Sequence, residues 1–473
     1  MMKQTLIFSM LLAGVGSLIG AEHDWPTYRG NAQRTGTVDT VAGPKKPAVQ
    51  WFLKSEENFI ASPVPSGQEL LLSSIGAFNK PTLLALSQAP ADRAMIAPRW
   101  MKSAPMLKLP SVSAPAVVGD SIYFGDGMHQ TDGAILYCFP SAGGHLTWAY
   151  AVPGELVHME GAPTVHNNRI YLGAGSAGVI CLDATTLDLN GKAVLPKDVP
   201  ALQEQRWKEL LAKYEKEKKE DPDFAVPPTE DQLHRPQPKL VWQAGAKKWH
   251  VDAPVLLVGD RLYVASAFLD KEKLGERALF CLDAATGKEL WKTPLTYNPW
   301  GGASFDQDTL IITTSSISYD PKSLQGSRGE ILAIDPASGK VRWQKSIAGG
   351  ILGCAALRDG SAYFTCTDGR VRGMSLKDGS RTLLYDAKAS LFAPPVVTAD
   401  TVFAADNAGV VHAIVRKTGQ PAWTLSLKDA PIQAPGMNYG GLTLHGGKLF
   451  LATCNLEGEF ARQPTCIVCI GGE

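Results

Sequence analysis

The sequence carries no net charge, because 46 Lys and Arg residues balance 46 Asp and Glu residues. A balanced chain exerts little long-range attraction on nucleic acid or on anionic lipid. It also lacks a phosphate-binding Gly loop, a nucleophile elbow, a zinc-ligand spacing and a basic patch interleaved with aromatic residues. We therefore expect no nucleic-acid partner and none of the catalytic chemistries that these motifs supply.

Long apolar runs are absent beyond the N-terminus, so we expect no membrane span. The first residues combine Lys3, a short apolar run over residues 5–19 and a small-residue exit, which is typical of a secretory signal peptide cleaved near Ala21. A membrane anchor is the alternative, but the run is short and rich in Gly and Ser. The first cysteine is Cys138, so no mature N-terminal Cys is available for a lipid anchor. We expect a periplasmic or secreted protein spanning residues 22–473.

One motif recurs and organises the remaining chain. Cys281 to Trp291 and Ala333 to Trp343 both read as a small residue, x, Asp, three residues, Gly, three residues and Trp. Each copy predicts a strand that ends in Asp, a tight turn in which Gly adopts positive φ, and a second strand with a buried Trp.

A second motif precedes these hairpins: a small residue, a short apolar strand, a turn with Gly or Asp, and a strand with an aromatic residue. Its spacing is roughly 40–50 residues, the period of a four-stranded propeller blade. The sequence therefore predicts an all-β fold, an eight-bladed β-propeller of four-stranded antiparallel blades. The eight copies begin at Ala61, Ala114, Ala162, Ala253, Ala303, Gly353, Ala393 and Ala434.

The last copy ends without its Trp strand, because strand C at Thr465 to Ile470 runs directly into the C-terminus. An unpaired Trp strand at residues 48–54 supplies what is missing. We expect this N-terminal strand to complete the last blade and close the ring, which also removes exposed sheet edges.

Residues 186–239 interrupt the regular spacing and predict a helical insertion between strands C and D of blade three. Trp207, Leu210, Leu211 and Tyr214 fall on one helical stripe. We favour packing of this stripe on the propeller rim; a docking helix for a partner is the alternative.

These repeats resemble the pyrroloquinoline-quinone-type (PQQ-like) repeat propellers, a superfamily that includes quinoprotein alcohol dehydrogenases and the scaffold subunit of the outer-membrane barrel assembly machinery. The segment Trp25-Pro-Thr-Tyr-Arg-Gly30 is similar to the lead-in of secreted members. The resemblance implies the fold; it is weak for function, because one scaffold hosts unrelated activities.

In the quinoprotein dehydrogenases, the resemblance implies two neighbouring disulfide-bonded cysteines over the quinone, a Ca²⁺ held by Glu, Asn and Asp, and a catalytic Asp. No two cysteines are adjacent here, and the closest pair is Cys466 and Cys469. We therefore expect no cofactor, with PQQ and Ca²⁺ as the alternative.

Eight cysteines in an exported chain permit disulfides. Two pairs flank turns and are predicted as cross-strand disulfides, Cys354 with Cys366 and Cys454 with Cys466; reduced thiols are the alternative. The other four occupy the same strand-C position in separate blades, too far apart to bridge, and are predicted as buried free thiols. They are Cys138, Cys181, Cys281 and Cys469.

The loops from strand D to A and from B to C converge on one face of a propeller, around the channel, where ligands usually bind. Paired His and carboxylate groups there are typical of metal or acid–base sites, but no ligand spacing supports a metal, and none is predicted. The B to C loops at residues 270–277 and 315–328 are candidates for a partner-binding rim. The candidate ligand-binding residues are His158, Glu160, Trp249, His250, Asp252, Trp300, Phe392 and Gln433.

These observations favour an exported, non-catalytic and monomeric propeller that acts as a protein-binding or assembly scaffold in the bacterial cell envelope. A PQQ-dependent periplasmic dehydrogenase is one alternative. A carbohydrate-binding propeller is another, favoured if Trp249, Trp300 and Phe392 are exposed on one face.

Overall fold

The chain forms a ring of eight antiparallel sheets, as seen in a computed structural model that describes residues 26–37, 42–76, 81–93, 95–129, 131–318 and 321–472. The predicted eight-bladed propeller is confirmed. The predicted signal peptide and Trp25 lie outside the described residues.

Each blade contains strands A to D, with A nearest the axis. Blade 1 has β2 (Val64–Ser66), β3 (Glu69–Ser74), β4 (Thr82–Ser87) and β5 (Trp100–Lys102). Blade 2 has β6 (Ala116–Val118), β7 (Ser121–Gly125), β8 (Ala134–Pro140) and β9 (Trp148–Val152). Blade 3 has β10 (Thr164–His166), β11 (Arg169–Gly173), β12 (Val179–Leu189) and β14 (Gln237–Ala244), with β13 (Lys192–Val194) paired to β12. Blade 4 has β15 (Leu256–Val258), β16 (Arg261–Leu269), β17 (Leu274–Asp283) and β18 (Glu289–Pro294).

The remaining blades follow the same order. Blade 5 has β19 (Ala303–Asp306), β20 (Thr309–Ser315), β21 (Arg328–Ile334) and β22 (Val341–Ala348). Blade 6 has β23 (Ala356–Arg358), β24 (Ser361–Thr365), β25 (Arg370–Ser375) and β26 (Arg381–Asp386). Blade 7 has β27 (Val396–Val397), β28 (Thr401–Ala405), β29 (Val410–Val415) and β30 (Pro421–Ser426). Blade 8 has β31 (Thr443–His445), β32 (Lys448–Ala452), β33 (Thr465–Gly471) and β1 (Ala48–Ser55).

The N-terminal strand closes the ring as predicted. β1 pairs antiparallel with β33, and Trp51 lies opposite Cys469. Strand D of the last blade therefore comes from the opposite end of the chain, so neither end strand is left as an unpaired edge.

In several blades the Trp of strand D contacts the next blade. Trp291 Nε1 donates to the carbonyl of Pro336, in the C–D turn of blade 5, at 3.2 Å. Gly339 of that turn has φ +72°, and a Cβ there would lie 2.6 Å from Trp291 Cε3. The repeated Gly therefore provides both the positive φ and the space for the preceding blade's Trp. Other strand-D tryptophans make the equivalent bond: Trp51 to Gln88 O, Trp242 to Ala284 O and Trp343 to Leu376 O.

The segment 26–37 lies on the axis of the ring, which the sequence did not predict. Its carbonyls accept bonds from the innermost strands of several blades: Pro26 O from Val117 N of blade 2 at 2.8 Å and Thr35 O from Leu357 N of blade 6 at 2.7 Å. Gly36 O likewise accepts from strand A of blade 7. This segment therefore fastens blades that are far apart in the sequence.

Two buried arginines anchor the axial segment. Arg34 Nη2 donates to Thr164 Oγ1 at 2.6 Å and to Val255 O at 3.0 Å, and Arg29 Nη2 donates to Pro395 O at 2.5 Å. Burial lowers the pKa of Arg34 to about 10, so the guanidinium remains charged at neutral pH.

The predicted insertion helix is present as α1 (Val199–Glu220), the only α-helix among the described residues. Short 3₁₀ turns occur at Pro196–Asp198, Glu230–Gln232 and Pro321–Ser323. Gln203 Nε2 donates to Leu146 O at 2.7 Å, and the Trp207 ring lies 5.3 Å from His145. The stripe thus packs on blade 2, although Leu211 remains exposed.

The two predicted disulfides are wrong, because all eight cysteines are free and buried. Ala452 pairs with Ile467, which places Cys454 opposite Thr465 and not opposite Cys466. Successive strand residues point to opposite faces, so this one-residue offset separates the two sulfurs.

The pair in blade 6 has the same offset. The register of Ala356 with Tyr363, continued by two residues, places Cys354 opposite Thr365. Cys354 Sγ instead lies 3.9 Å from the Tyr28 hydroxyl. The four strand-C cysteines are buried free thiols, as predicted.

Replacement of the turn glycine should show how much the interblade contact contributes. We expect Gly339→Ala to lower the free energy of unfolding by about 1–3 kcal/mol more than Gly326→Ala, because only the first Cβ overpacks against a Trp ring. Gly326 is a matched control: its φ is +73° and no atom lies within 4 Å of an added Cβ. Equal shifts of the two variants in chemical or thermal unfolding would contradict this role for the glycine.

Candidate functional site

A cavity of about 1180 Å³ lies on the face formed by the D–A and B–C loops. Loops of blades 1 to 5 and of blade 8 line it, and Tyr28 of the axial segment also contributes to its wall. Its wall combines apolar and charged side chains, including Ile75, Met128, Glu160, Asp252, Trp300 and Leu456.

Four predicted residues lie together at one side of this cavity. His158 and Glu160 belong to the loop between blades 2 and 3, and His250 and Asp252 belong to the loop between blades 3 and 4. Glu160 and Asp252 face the cavity, whereas the two imidazoles are completely buried behind them.

Backbone bonds hold the second of these loops between two blades. Gly175 and Val251 exchange two N–H···O bonds of 3.1 Å. His250 N donates to Ser266 Oγ at 3.1 Å, and His250 O accepts from Ala267 N at 2.9 Å. Bonds to residues of blades 3 and 4 thus fix His250 and Val251. Asp252 follows them directly in the chain.

Asp252 is the centre of the cluster. Its Oδ1 atom lies 2.8 Å from His158 Nε2 and 3.0 Å from His250 Nε2. The His158 and His250 ring centroids are 5.1 Å apart. One carboxylate oxygen therefore contacts two imidazoles that come from different loops.

The sequence did not identify a further member, His129, in the B–C loop of blade 2. Its ring lies 5.5 Å from His158 and 5.6 Å from His250, and its side chain faces the cavity. Glu160 Oε1 accepts a bond from His129 N at 2.7 Å and so fixes this loop. The sequence did carry a positional signal, because the B–C loops share a face with the D–A loops that carry the predicted residues.

The electrostatics of the cluster favour an ionised Asp252. Burial opposes its ionisation, but the neighbouring His250 and His158 outweigh that effect and hold the pKa of Asp252 well below its usual value. Burial likewise opposes protonation of His158, yet its pKa is raised because Asp252 stabilises the imidazolium. The centre of the cluster therefore favours a bound positive charge.

The pKa values of the two groups at the cavity edge, Glu160 and His129, shift in opposite directions. Burial raises the pKa of Glu160 to about 7, and the charge of Asp252 adds to this shift. Burial lowers the pKa of His129, and the neighbouring His158 and His250 act in the same direction. A neutral imidazole with an available lone pair is thus the favoured form of His129.

The other predicted site residues are not part of this cluster. Trp300 lines the cavity and donates from Nε1 to Ile317 O at 2.9 Å. Trp249 is buried with its ring 4.1 Å from Phe280, and Phe392 is buried against Tyr439. Gln433 is exposed outside the cavity lining. Trp249, Trp300 and Phe392 therefore do not form the exposed aromatic surface expected of the carbohydrate-binding alternative.

The cavity does not fit a calcium-bound quinone of the dehydrogenase type. Cys454 is the one cysteine in its described lining, and its sequence neighbours are Thr453 and Asn455, so no adjacent cysteine pair is available. The Asn298 amide is already bonded to Phe268 N and Phe268 O. Asn298 is the one Asn of the described lining, and Asp252 contacts His158 and His250, so the Glu, Asn and Asp set expected of that calcium site is not free.

Among the described residues, no helix is long and apolar enough to cross a bilayer.

The sequence is similar to that of an outer membrane protein assembly factor. The family model described as outer membrane protein assembly factor BamB matches residues 35–202, 232–315 and 299–458. BamB of Yersinia pestis is 26% identical over 148 residues, which are 30% of this chain and 37% of that protein. The matched segment thus spans little more than a third of that relative's length.

Similar solved structures include both scaffolds and dehydrogenases. A europium-containing methanol dehydrogenase has a TM-score of 0.64 at 14% identity, covering 95% of this chain and 98% of that chain. BamB from Moraxella catarrhalis has a TM-score of 0.56 at 12% identity, with 90% and 98% covered. A quinohemoprotein alcohol dehydrogenase from Comamonas testosteroni has a TM-score of 0.60 at 12% identity, with 95% and 81% covered.

At these identities the structural neighbours show the fold alone. The family model, in contrast, matches most of the chain, and the eight four-stranded blades agree with it. The chain therefore belongs to the BamB family of PQQ-like repeat β-propellers.

Proposed function

We propose that this protein is an exported, non-catalytic propeller that binds a protein partner in the bacterial cell envelope, and that a segment of the partner enters the cavity. The observation that carries the proposal is a wide cavity built from the loops of six blades. The predicted signal peptide supports export, and the name of the matched family supports an assembly role.

The size of the cavity favours a polypeptide segment. Small-molecule sites are typically about 300–1,000 Å³ and bury most of the ligand. The cavity here is about 1180 Å³ and includes exposed residues such as Lys271 and Glu457 in its lining. A broad cavity of this kind suits a chain segment that enters and leaves it.

One side of the mouth is a rigid hairpin from blade 4. β16 and β17 extend to Leu269 and Leu274, beyond the length of most other B and C strands. Arg277 Nη2 donates to Asp270 Oδ2 at 2.7 Å, and Arg277 Nε donates to Asn298 Oδ1 at 3.1 Å. The hairpin is thus fastened to the next D–A loop, and Phe268 lines the cavity beneath it.

Apolar side chains at the mouth provide contact area for a partner. Leu456 is 48% exposed and lies at the cavity wall with Ile60, Ile75 and Ile317. Apolar contacts surrounded by charged groups are typical of the centre of a protein interface. The quinone-dependent alternative is disfavoured by the residues of the cavity, as described above.

A substitution at the mouth should reduce partner binding. We expect Leu456→Asp to lower recovery of the partner at least tenfold in pull-downs from the envelope fraction, because it places a charge in an apolar contact. Met101→Asp is the matched control, since Met101 is 50% exposed but lies on β5, outside the cavity lining.

The partner should be identified by photo-crosslinking from position 456, with position 101 as the background. A protein captured from position 456 alone, and lost in Leu456→Asp, is the expected result. Equal capture from the two positions, or undiminished recovery with Leu456→Asp, would contradict binding at the cavity.

A second experiment addresses catalysis. We expect no substrate-dependent dye reduction after incubation with PQQ and Ca²⁺, because the described lining of the cavity has no adjacent cysteine pair and its one Asn, Asn298, is already bonded. The assay should include alcohols and sugars, with a quinoprotein dehydrogenase reconstituted in parallel as the positive control. Reproducible dye reduction by this protein would contradict the proposal that it is non-catalytic.

A further inference from the structure

We propose that His129, His158, His250 and Asp252 form a binding site for a divalent transition-metal ion of the zinc class. The four residues come from three loops of blades 2, 3 and 4, and meet at the wall of the cavity. The inference does not depend on the proposed scaffold function, because a propeller with or without a partner can hold the ion.

The ligand atoms already have the spacing of a metal site. One ligand atom from each residue lies within 4.8 Å of the other three. In a tetrahedral site with bonds of about 2.0–2.1 Å, ligand atoms are about 3.3 Å apart. The contacts of Asp252 Oδ1 with His158 and His250, at 2.8 Å and 3.0 Å, are close to that separation. Small side-chain rotations are therefore enough to surround an ion.

Buried imidazole nitrogens without hydrogen-bond partners give independent support. His250 is fully buried, and neither its Nδ1 nor its Nε2 atom has a partner in the described structure. Its Nε2 atom lies near Asp252 Oδ1 without satisfying hydrogen-bond geometry. Burying a polar group without a partner is costly. A metal ion on Nε2 would satisfy this atom and replace the imperfect contact with the carboxylate.

The chemistry of the ligands selects the class of ion. Three imidazoles and one carboxylate suit zinc and the neighbouring first-row metals, whereas calcium and magnesium prefer oxygen ligands. The site thus differs in kind from the calcium site of a quinoprotein dehydrogenase.

The residues around the cluster hold its loop in place and leave a path by which an ion can reach it. The backbone bonds of His250 to Ser266 and Ala267 and of Val251 to Gly175 fix the loop that carries His250 and Asp252. His129 and Asp252 line the cavity, so an ion can enter from that side.

The expected affinity is below that of a structural zinc site. Metal-binding histidines usually donate their second ring N–H to a carboxylate or carbonyl, and loss of such a partner reduces affinity about 10–100-fold. The Nδ1 atoms of His158 and His250 have no such partner among the described residues. We therefore expect reversible binding that a chelator removes.

Cobalt(II) is a suitable probe, because its visible absorption reports coordination directly. Protein without an affinity tag, stripped with a chelator, should bind one equivalent of Co²⁺, and Zn²⁺ should displace it. We expect His250→Gln to abolish the spectrum and His129→Gln to weaken binding at least tenfold. His129 is only partly buried, so its variant should fold even if His250→Gln does not.

His145→Gln is the matched control. His145 also pairs with a carboxylate, Glu230, at 3.0 Å, but lies beside the insertion helix. This variant should bind Co²⁺ as the wild type does. Zn²⁺ should raise the melting temperatures of the variant and of the wild type by the same amount. The proposal is overturned if the wild type gives no Co²⁺ spectrum, or if His129→Gln binds the ion as tightly as the wild type does.

Discussion

The contact between the Trp of strand D and the glycine turn of the next blade is the interaction on which the ring depends. It packs an indole ring against the turn glycine of the next blade and satisfies the indole N–H. Because Trp51 is on β1, the equivalent indole hydrogen bond, to Gln88 O, also joins the last blade to the first. A Cβ at such a turn glycine would therefore disturb the packing between two neighbouring blades.

Closure of the ring has a direct consequence for the candidate site. It brings D–A and B–C loops together on one face, although their residues are far apart in the sequence. Asp252 can then contact His158 of the preceding D–A loop, and His129 of the blade 2 B–C loop completes the cluster. The cluster is thus a product of blade packing, and loop changes can alter it without altering the strands.

The sequence predicted what is local and periodic. The Asp, Gly and Trp of each hairpin predicted the blades, and the unpaired Trp51 strand predicted ring closure, because each signal lies within one strand pair. It did not predict the axial segment, since Arg34 bonds to residues of blades 3 and 4 that share no local pattern with it. The disulfide predictions were wrong because turn symmetry does not fix register to the single residue that decides whether two sulfurs face each other.

The site residues show the same division between local and non-local information. The converging loops identified His158 and Asp252, because loop membership follows from the repeat. Burial of Trp249 did not follow from its loop position, since its ring packs on Phe280 of blade 4. In a repeat fold, the repeat fixes where functional residues can lie, while the side chains of neighbouring blades decide which of them reach the cavity. The chemistry of this propeller therefore has to be derived from its loop residues, and the family similarity explains only the scaffold that holds them.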